Sequence, residues 1–513
     1  MSRKLLKSTA IVSVMTLVSR VSGLVRDVVM ANLLGAGGLA DAFFVAFRIP
    51  NFLRRIFAEG AFSQAFVPVF SQLNERNTNE AKAFVNSVTG ILALSTFVLS
   101  LLGMVFAPAI ISLFAPGFID QPEKFDATVE ALRLMFPYLF CISLVAMSAG
   151  VLNTVNRFAV PAVTPVILNL CLIFAMWLLI PLVGNGARAL AIGVLIAGVI
   201  QVIFQLPSLY REGYLPRLRL DFKNTSVRRL YFLMLPAVFS VSVAQINTVV
   251  NTILATRLGD AYVSWLYYSD RLMEFPVGVF GIALATVVLP SLSKENASGD
   301  PHHFARMLDW ALRWVVVIAV PATFALYLIA TPLLSTMFQY NAFTTEDVVQ
   351  SASALRAFAI GICGFIFVKV LAPGFFARQD MKTPVKIAIA SVIVNIILSL
   401  ILVRFFEHTG LALAISIAAW VNASLLFIVL WYKGVYQSQA GWLAFAFRVA
   451  FAIVVMTICL MYMQKSPEVW YAMSFAQRVW QLLLLVAAGG VSYLAALIIA
   501  GLRPKQLLLG RGE

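Results

Sequence analysis

The chain has 513 residues, 61% hydrophobic and 12% charged, with a mean hydropathy of +0.91 and a formal net charge of +15 at pH 7. A soluble domain carries roughly twice that charged fraction, so the totals exclude an ordinary soluble enzyme and describe a polytopic membrane protein. Nucleic-acid binding is excluded as the reason for the basic excess, because most of it sits in short loops between apolar runs, where it reports topology.

Runs of about 20 apolar residues divide the chain into about 14 spans. Their centres fall near Val18, Phe47, Leu99, Leu144, Leu172, Val199, Val241, Phe280, Val320, Gly364, Ile393, Ala419, Val455 and Leu485. The start, MSRKLLKSTAIVSVMTLVSR, is basic and then apolar, lacks a small-residue cleavage site, and continues into Arg20 and Arg26. It reads as an uncleaved first helix. Even-numbered connections are rich in bases, from Arg76 and Lys82 through Arg217, Arg219, Arg228 and Arg229 to Lys433 and Arg503, Lys505 and Arg511 at the end. Odd-numbered ones hold acids such as Asp120, Glu123, Asp126, Asp260, Glu346 and Asp347. This asymmetry places both termini in the cytoplasm.

The first two spans depart from the rest. Between Val18 and Gln64 they carry Arg20, Arg26, Asp27, Asp41, Arg48, Arg54, Arg55 and Glu59. One arginine at the centre of a membrane helix costs about 2.5–3.5 kcal/mol on insertion scales. Several in one helical pair must line a wet cavity, pair with Asp41 or Glu59, or snorkel to the surface. A cavity that receives a phosphate-bearing headgroup is the reading taken here. Arginine suits that task, because its planar fork holds phosphate oxygens bidentately and stays charged when desolvated. Arg20 and Arg26 point about 120° apart on a straight helix; Ser22 and Gly23 between them mark a place for a bend. Asp41 is either a counter-ion or a proton or cation site, and the residues do not separate the two.

The eighth span, SWLYYSDRLMEFPVGVFGIALATVVLP, carries Asp270, Arg271 and Glu274, with Arg271 and Glu274 spaced to pair within the helix. In the tenth, Lys369 is a single cation in an apolar run, a candidate for function. Cys141, Cys171, Cys363 and Cys459 each fall within an apolar span and read as core-filling thiols.

Two motif pairs recur at nearly one offset, about 220 residues. GVLNTVNRFAVPAVTPVILN, ending at Asn169, matches GFFARQDMKTPVKIAIASVIVN, ending at Asn395; AFVPVFSQ with Pro68 matches TVVLPSLSK with Pro290. The expected architecture is therefore an all-α integral membrane protein of two six-helix lobes, residues 1–212 and 213–436, related by a pseudo-twofold axis along the membrane normal with the cavity between them. Residues 437–513 add two carboxyl-terminal helices. No phosphate-binding GxxxxGK[ST] loop occurs, and His302, His303 and His408 form no metal-binding pattern, so neither cofactor nor metal is expected.

The stretch SRVSGLVRDVVMANLLGAGGLADAFFVAFRIPNFLRRIFAEGAFSQAFVPVF resembles the MurJ (MviN) lipid II flippases, as do WLYYSDRLMEFPVGVFGIALATVVLPSLSK and KVLAPGFFARQDMKTPVKIA. The resemblance runs from about Ser13 to the carboxyl end. It implies membership of the multidrug, oligosaccharidyl-lipid and polysaccharide exporter superfamily. It also implies translocation, by alternating access, of the undecaprenyl-diphosphate-linked peptidoglycan precursor across the bacterial inner membrane. By the same resemblance Arg20, Arg26, Arg54 and Arg271 are the cavity arginines and Asp41 the essential acid. Asn51, Glu59, Glu274 and Lys369 fall at positions linked to activity or the cavity, and the last two helices form a groove for the lipid tail. Where some relatives place sodium-binding carboxylates, this chain offers Gln245, Asn247, Asn251 and Asn395, so no sodium site is expected. The implied partners are lipid II, membrane lipid and cell-wall synthesis proteins, with the chain acting as a monomer. Rival readings are export of another polyprenyl-diphosphate-linked glycan, drug/cation antiport, and a membrane glycosyl polymerase.

Overall fold

A computed structural model describes residues 3–55, 61–298 and 300–502. Glu59 lies outside these residues, as do Arg503, Lys505 and Arg511. The described residues form helices and turns with no strand. They divide into two compact units, Met1–Ser264 and Trp265–Glu513.

The first unit holds α1 (Arg3–Leu34), α2 (Gly38–Arg54), α3 (Ala61–Arg76), α4 (Thr78–Val105), α5 (Ala107–Phe114), α6 (Pro122–Thr154), α7 (Ala159–Phe174), α8 (Ile180–Val183), α9 (Gly186–Arg211) and α10 (Thr225–Thr256). Its last residues open α11 (Tyr262–Pro276). The second unit continues through α12 (Ile282–Ser298), α13 (Pro301–Leu328), α14 (Ala330–Phe338), α15 (Thr345–Phe376), α16 (Lys382–Tyr432), α17 (Trp442–Met463), α18 (Pro467–Ala472) and α19 (Phe475–Ile499).

Ten helical stretches among the described residues are long and apolar enough to cross a membrane. They account for eleven of the expected spans, because α16, 51 residues long, covers the eleventh and twelfth. Glu407, at φ 49 and ψ −131, breaks its helical geometry. Gly410 is required beside that break, since a Cβ there would lie 2.3 Å from the Leu402 carbonyl oxygen. The first, second and seventh expected spans correspond to α1, to α2 with α3, and to α10.

Side chains near the helix starts explain the boundaries. Asn77, Asn185, Asn224 and Asp300 accept backbone N–H groups at the first turns of α4, α9, α10 and α13. Thr344 with Asp347, and Ser474 with Gln477, close capping boxes at α15 and α19. Asp380, in the quoted ARQDMKTP motif, accepts from the Thr383 hydroxyl and N–H and from Lys433. These contacts hold its carboxyl pKa down to about 2 and tie the turn before α16 to the end of that helix.

In the first unit a core of stacked rings joins α3 to α4, with Phe66 lying 5.0 Å from Phe62 and 5.5 Å from both Phe70 and Phe84. Val227, Leu230 and Met234 of α10 bury against the same cluster. The preceding linker is tied down by Tyr214 on Asn74 and by the Arg217 N–H on Asn86. The compact units separate after Ser264, with the polar linker and α10 packed into the first unit.

In the second unit, α13, α17 and α19 share a core containing Val449, Ala452, Met456, Leu460, Leu485 and Tyr493. Buried Asp309 anchors the chain entering α17: it accepts from Tyr436 (2.8 Å), Trp442 (2.6 Å) and Arg313 (2.9 Å). Asp309→Ala is expected to cost about 1–3 kcal/mol by leaving buried donors unsatisfied. Amide exchange over residues 436–445 should accelerate selectively, and unchanged exchange there would refute the anchor. On α15, a Cβ at Gly364 would lie 2.9 Å from backbone atoms of α16, at Ala419 and Trp420. Gly364→Leu is therefore expected to lower thermal stability in detergent by about 1–3 kcal/mol, an overpacking penalty. An unchanged unfolding temperature would show that the two helices separate freely.

Candidate functional site

Arg26, Asp27, Asp41, Arg48, Arg54 and Arg55 are held by specific partners, and these differ from the ones their spacing suggests. Along α1 the helix continues through Ser22 and Gly23 without a break. Arg20 is half-buried. Arg26 is 5% exposed and places Nε (3.0 Å) and Nη2 (2.6 Å) on one oxygen of its neighbour Asp27, itself fully buried. Its Nη1 donates to Asn169 Oδ1 of α7 at 3.2 Å. The carboxylate neutralising Arg26 is thus the adjacent residue, Asp27, which the sequence reading left without a role.

On α2, Arg48 donates to Thr252 of α10, and exposed Arg55 donates to Gln245 at 3.2 Å. Half-buried Arg54 donates through Nε to Asn51 Oδ1 at 3.0 Å, so two expected site residues are brought together one turn apart. Asp41, at the other end of α2, is fully buried. It accepts from Lys124 Nζ (3.0 Å), the Ala261 N–H (2.8 Å), and the N–H (2.8 Å) and hydroxyl (2.5 Å) of Ser264. Its counter-ion is therefore a lysine of α6 rather than an arginine, and the carboxylate caps the first turn of α11. Lys124 also donates to Asp260 at 2.6 Å and lies 4.1 Å from the centroid of the Phe118 ring. Sequence reasoning missed Lys124, because it sits in QPEKFD, between exposed Glu123 and Asp126, where a base looks like one more solvated loop charge.

In the second unit Arg271 and Glu274 form the expected pair, Nη1 to Oε2 at 3.2 Å, both partly open to solvent. The Arg271 guanidinium lies 5.8 Å from the Tyr267 ring centroid. Lys369 of α15 is half-buried, and its stem packs on the irregular turn after α11: a Cβ at Gly281 would lie 2.8 Å from Lys369 Cδ. That contact sets Lys369 against the segment that follows α11. Glu59 lies outside the described residues.

Chemically, the arrangement is a set of guanidinium and ammonium groups held inside helices of an apolar chain. Such groups bind phosphate oxygens through charge-assisted hydrogen bonds. Among the described residues no three His, Cys, Asp or Glu side chains are grouped to hold a metal ion.

Comparison with known proteins gives a consistent result. The profile of the family described as Lipid II flippase MurJ matches residues 30–481. A probable lipid II flippase MurJ from Vibrio cholerae serotype O1 is 43% identical over 99% of this chain and 98% of its own length. The lipid II flippase MurJ of Burkholderia cenocepacia is 42% identical over 88% of this chain and 89% of its own. Among solved structures, a lipid II flippase MurJ in an inward closed conformation superposes with a TM-score of 0.80 at 27% identity, covering 94% of this chain and 97% of that one. An inward-facing multidrug resistance MATE family transporter of the MOP superfamily shares the fold, with a TM-score of 0.67 at 16% identity over 81% of this chain and 94% of its own.

Proposed function

The chain belongs to the MurJ family of lipid II flippases, and on that premise we propose that it moves the undecaprenyl-diphosphate-linked disaccharide-pentapeptide precursor of peptidoglycan from the inner to the outer leaflet of the bacterial cytoplasmic membrane by alternating access. It is a multi-pass membrane transporter, not an enzyme.

The observation that carries the reading is Arg26, a guanidinium 5% exposed within a helix of an apolar chain, with Arg20 on the same helix and Arg54 on the next. Cations within apolar helices are costly; Asp27 balances the one at Arg26, and an anionic headgroup is the ligand that balances the others. Arg20, Arg26, Arg54 and Arg271 take the diphosphate, with Lys369 and Asn51 beside them. Asp41 and Glu274 orient the bases and the helices that carry them, and Glu59 belongs to the same functional set. The pair α17 and α19 forms the groove for the polyprenyl tail. Both termini lie in the cytoplasm, on the side of the basic connections. The protein works as a monomer alongside the proteins of cell-wall synthesis.

The sequence has no nucleotide-binding loop, and an electrochemical gradient drives the cycle. Each charge moved through 100 mV contributes about 2.3 kcal/mol. The test is leaflet transfer of labelled lipid II in proteoliposomes holding only the purified chain. Transfer with no new covalent product supports the flippase. Polymer formation, or no transfer under an imposed potential, overturns it.

A further inference from the structure

We propose that Asn169 is the residue that positions Arg26 for the diphosphate. The proposal rests on the flippase reading above and adds a member to its phosphate-binding set. Asn169 closes the first copy of the repeated motif and lies on α7, 143 residues from Arg26. It is 6% exposed, and both ends of its amide are used. The carbonyl oxygen accepts from Arg26 Nη1 at 3.2 Å, while the amide nitrogen donates to Ser22 Oγ at 2.9 Å and to the Ser19 carbonyl at 3.2 Å. These three contacts fix which way the amide faces, since only its oxygen can accept from a guanidinium.

Asp27 alone does not set the position of Arg26. It holds the Nε and Nη2 edge, but it is the next residue on the same helix and moves with it. Asn169 ties the guanidinium, and the turn of α1 carrying it, to a second helix. The amide also orients without cancelling charge. Asp27 already balances one positive charge, and a second carboxylate at 169 would repel the phosphates that Arg26 must meet. The neutral acceptor is thus a chemical requirement, beyond the need to fill the space.

The experiment measures binding of undecaprenyl diphosphate to the purified full chain in nanodiscs, with thermal unfolding recorded in parallel. Asn169→Ala is expected to weaken binding about tenfold, the size of one hydrogen bond to a charged group. Asn169→Asp, which keeps the acceptor and adds a negative charge but loses the donor to Ser19 and Ser22, is expected to weaken it further. In an Arg26→Lys background Asn169→Ala should have little additional effect, because it acts through the guanidinium. A purely structural Asn169 predicts the opposite on two counts: Asn169→Asp would bind like the parent, and the alanine effect would persist in full in the Arg26→Lys background. Either result overturns the proposal, as does parent-like binding by Asn169→Ala. Failure of the parent itself to bind undecaprenyl diphosphate would instead overturn the flippase reading, and this inference with it.

Discussion

Arg271→Ala is expected to lower lipid II transfer in proteoliposomes by about ten- to a hundredfold, the loss of one or two charge-assisted hydrogen bonds to phosphate. Its unfolding temperature should stay within the error of the parent's. The two parts of that expectation come from different observations. Arg271 and Glu274 form a pair whose side chains are 37% and 52% exposed, and such a pair contributes little to the fold. Any large effect on transfer must therefore come from lost contact with the substrate. Arg54→Ala should behave alike, since its Nε contact is to neutral Asn51. Arg26 is the exception. Alanine there would take from buried Asp27 the cation it pairs with, costing about 3–5 kcal/mol, so Arg26→Lys is the informative substitution. If Arg271→Ala and Arg54→Ala both transferred lipid II at the parent rate, the assignment of these residues to the diphosphate would be wrong.

Asp41→Ala carries the second large effect, this time on the fold. Four donor groups converge on that carboxylate: Lys124 Nζ, the N–H groups of Ala261 and Ser264, and the Ser264 hydroxyl. Its removal leaves Lys124, 8% exposed, with the solvent-facing Asp260 as its remaining carboxylate, and strips the cap from the first turn of α11. Breaking one side of a buried ion pair costs about 3–5 kcal/mol. The variant should unfold at a lower temperature, with faster amide exchange over residues 260–265. Replacing both charges, Asp41→Asn with Lys124→Met, should recover part of the loss, because an ion pair removed whole costs less than one cut in half. If adding Lys124→Met to Asp41→Asn gave no recovery over Asp41→Asn alone, the unpaired lysine would not be the source of the loss.

How much of this was written legibly in the chain depends on the range over which each feature is decided. Apolar runs of membrane length, the basic loops and the duplicated Pro-containing motifs are local patterns, and they gave the helical architecture directly. AFVPVFSQ and TVVLPSLSK fall on α3 and α12, and α4–α5–α6 has the same long–short–long form as α13–α14–α15. The arginines of the first two spans stood out for the same reason: a charge inside an apolar run is visible without knowing its neighbours. The partners were not visible. Lys124 and Asp41 are 83 residues apart and Asn169 and Arg26 are 143, so both pairings are decided by how helices pack. Periodicity along a single helix does not encode that choice. Spacing drew attention to Asp41 as a partner for the arginines, whereas packing gave it a lysine and gave Arg26 its immediate neighbour. The packing of the linker was hidden for a related reason. The linker after α9 is polar enough to look like a hinge, yet Asn74 and Asn86 hold it down and carry α10 into the first unit.

The central claim is that guanidinium groups kept inside the helices recognise a diphosphate. It is tested most directly by comparing, in one proteoliposome preparation, transfer of lipid II with transfer of the same glycolipid carrying a single phosphate. The account predicts at least about a tenfold preference for the diphosphate, from the charge-assisted hydrogen bonds the second phosphate adds. Equal rates for the two lipids would contradict it.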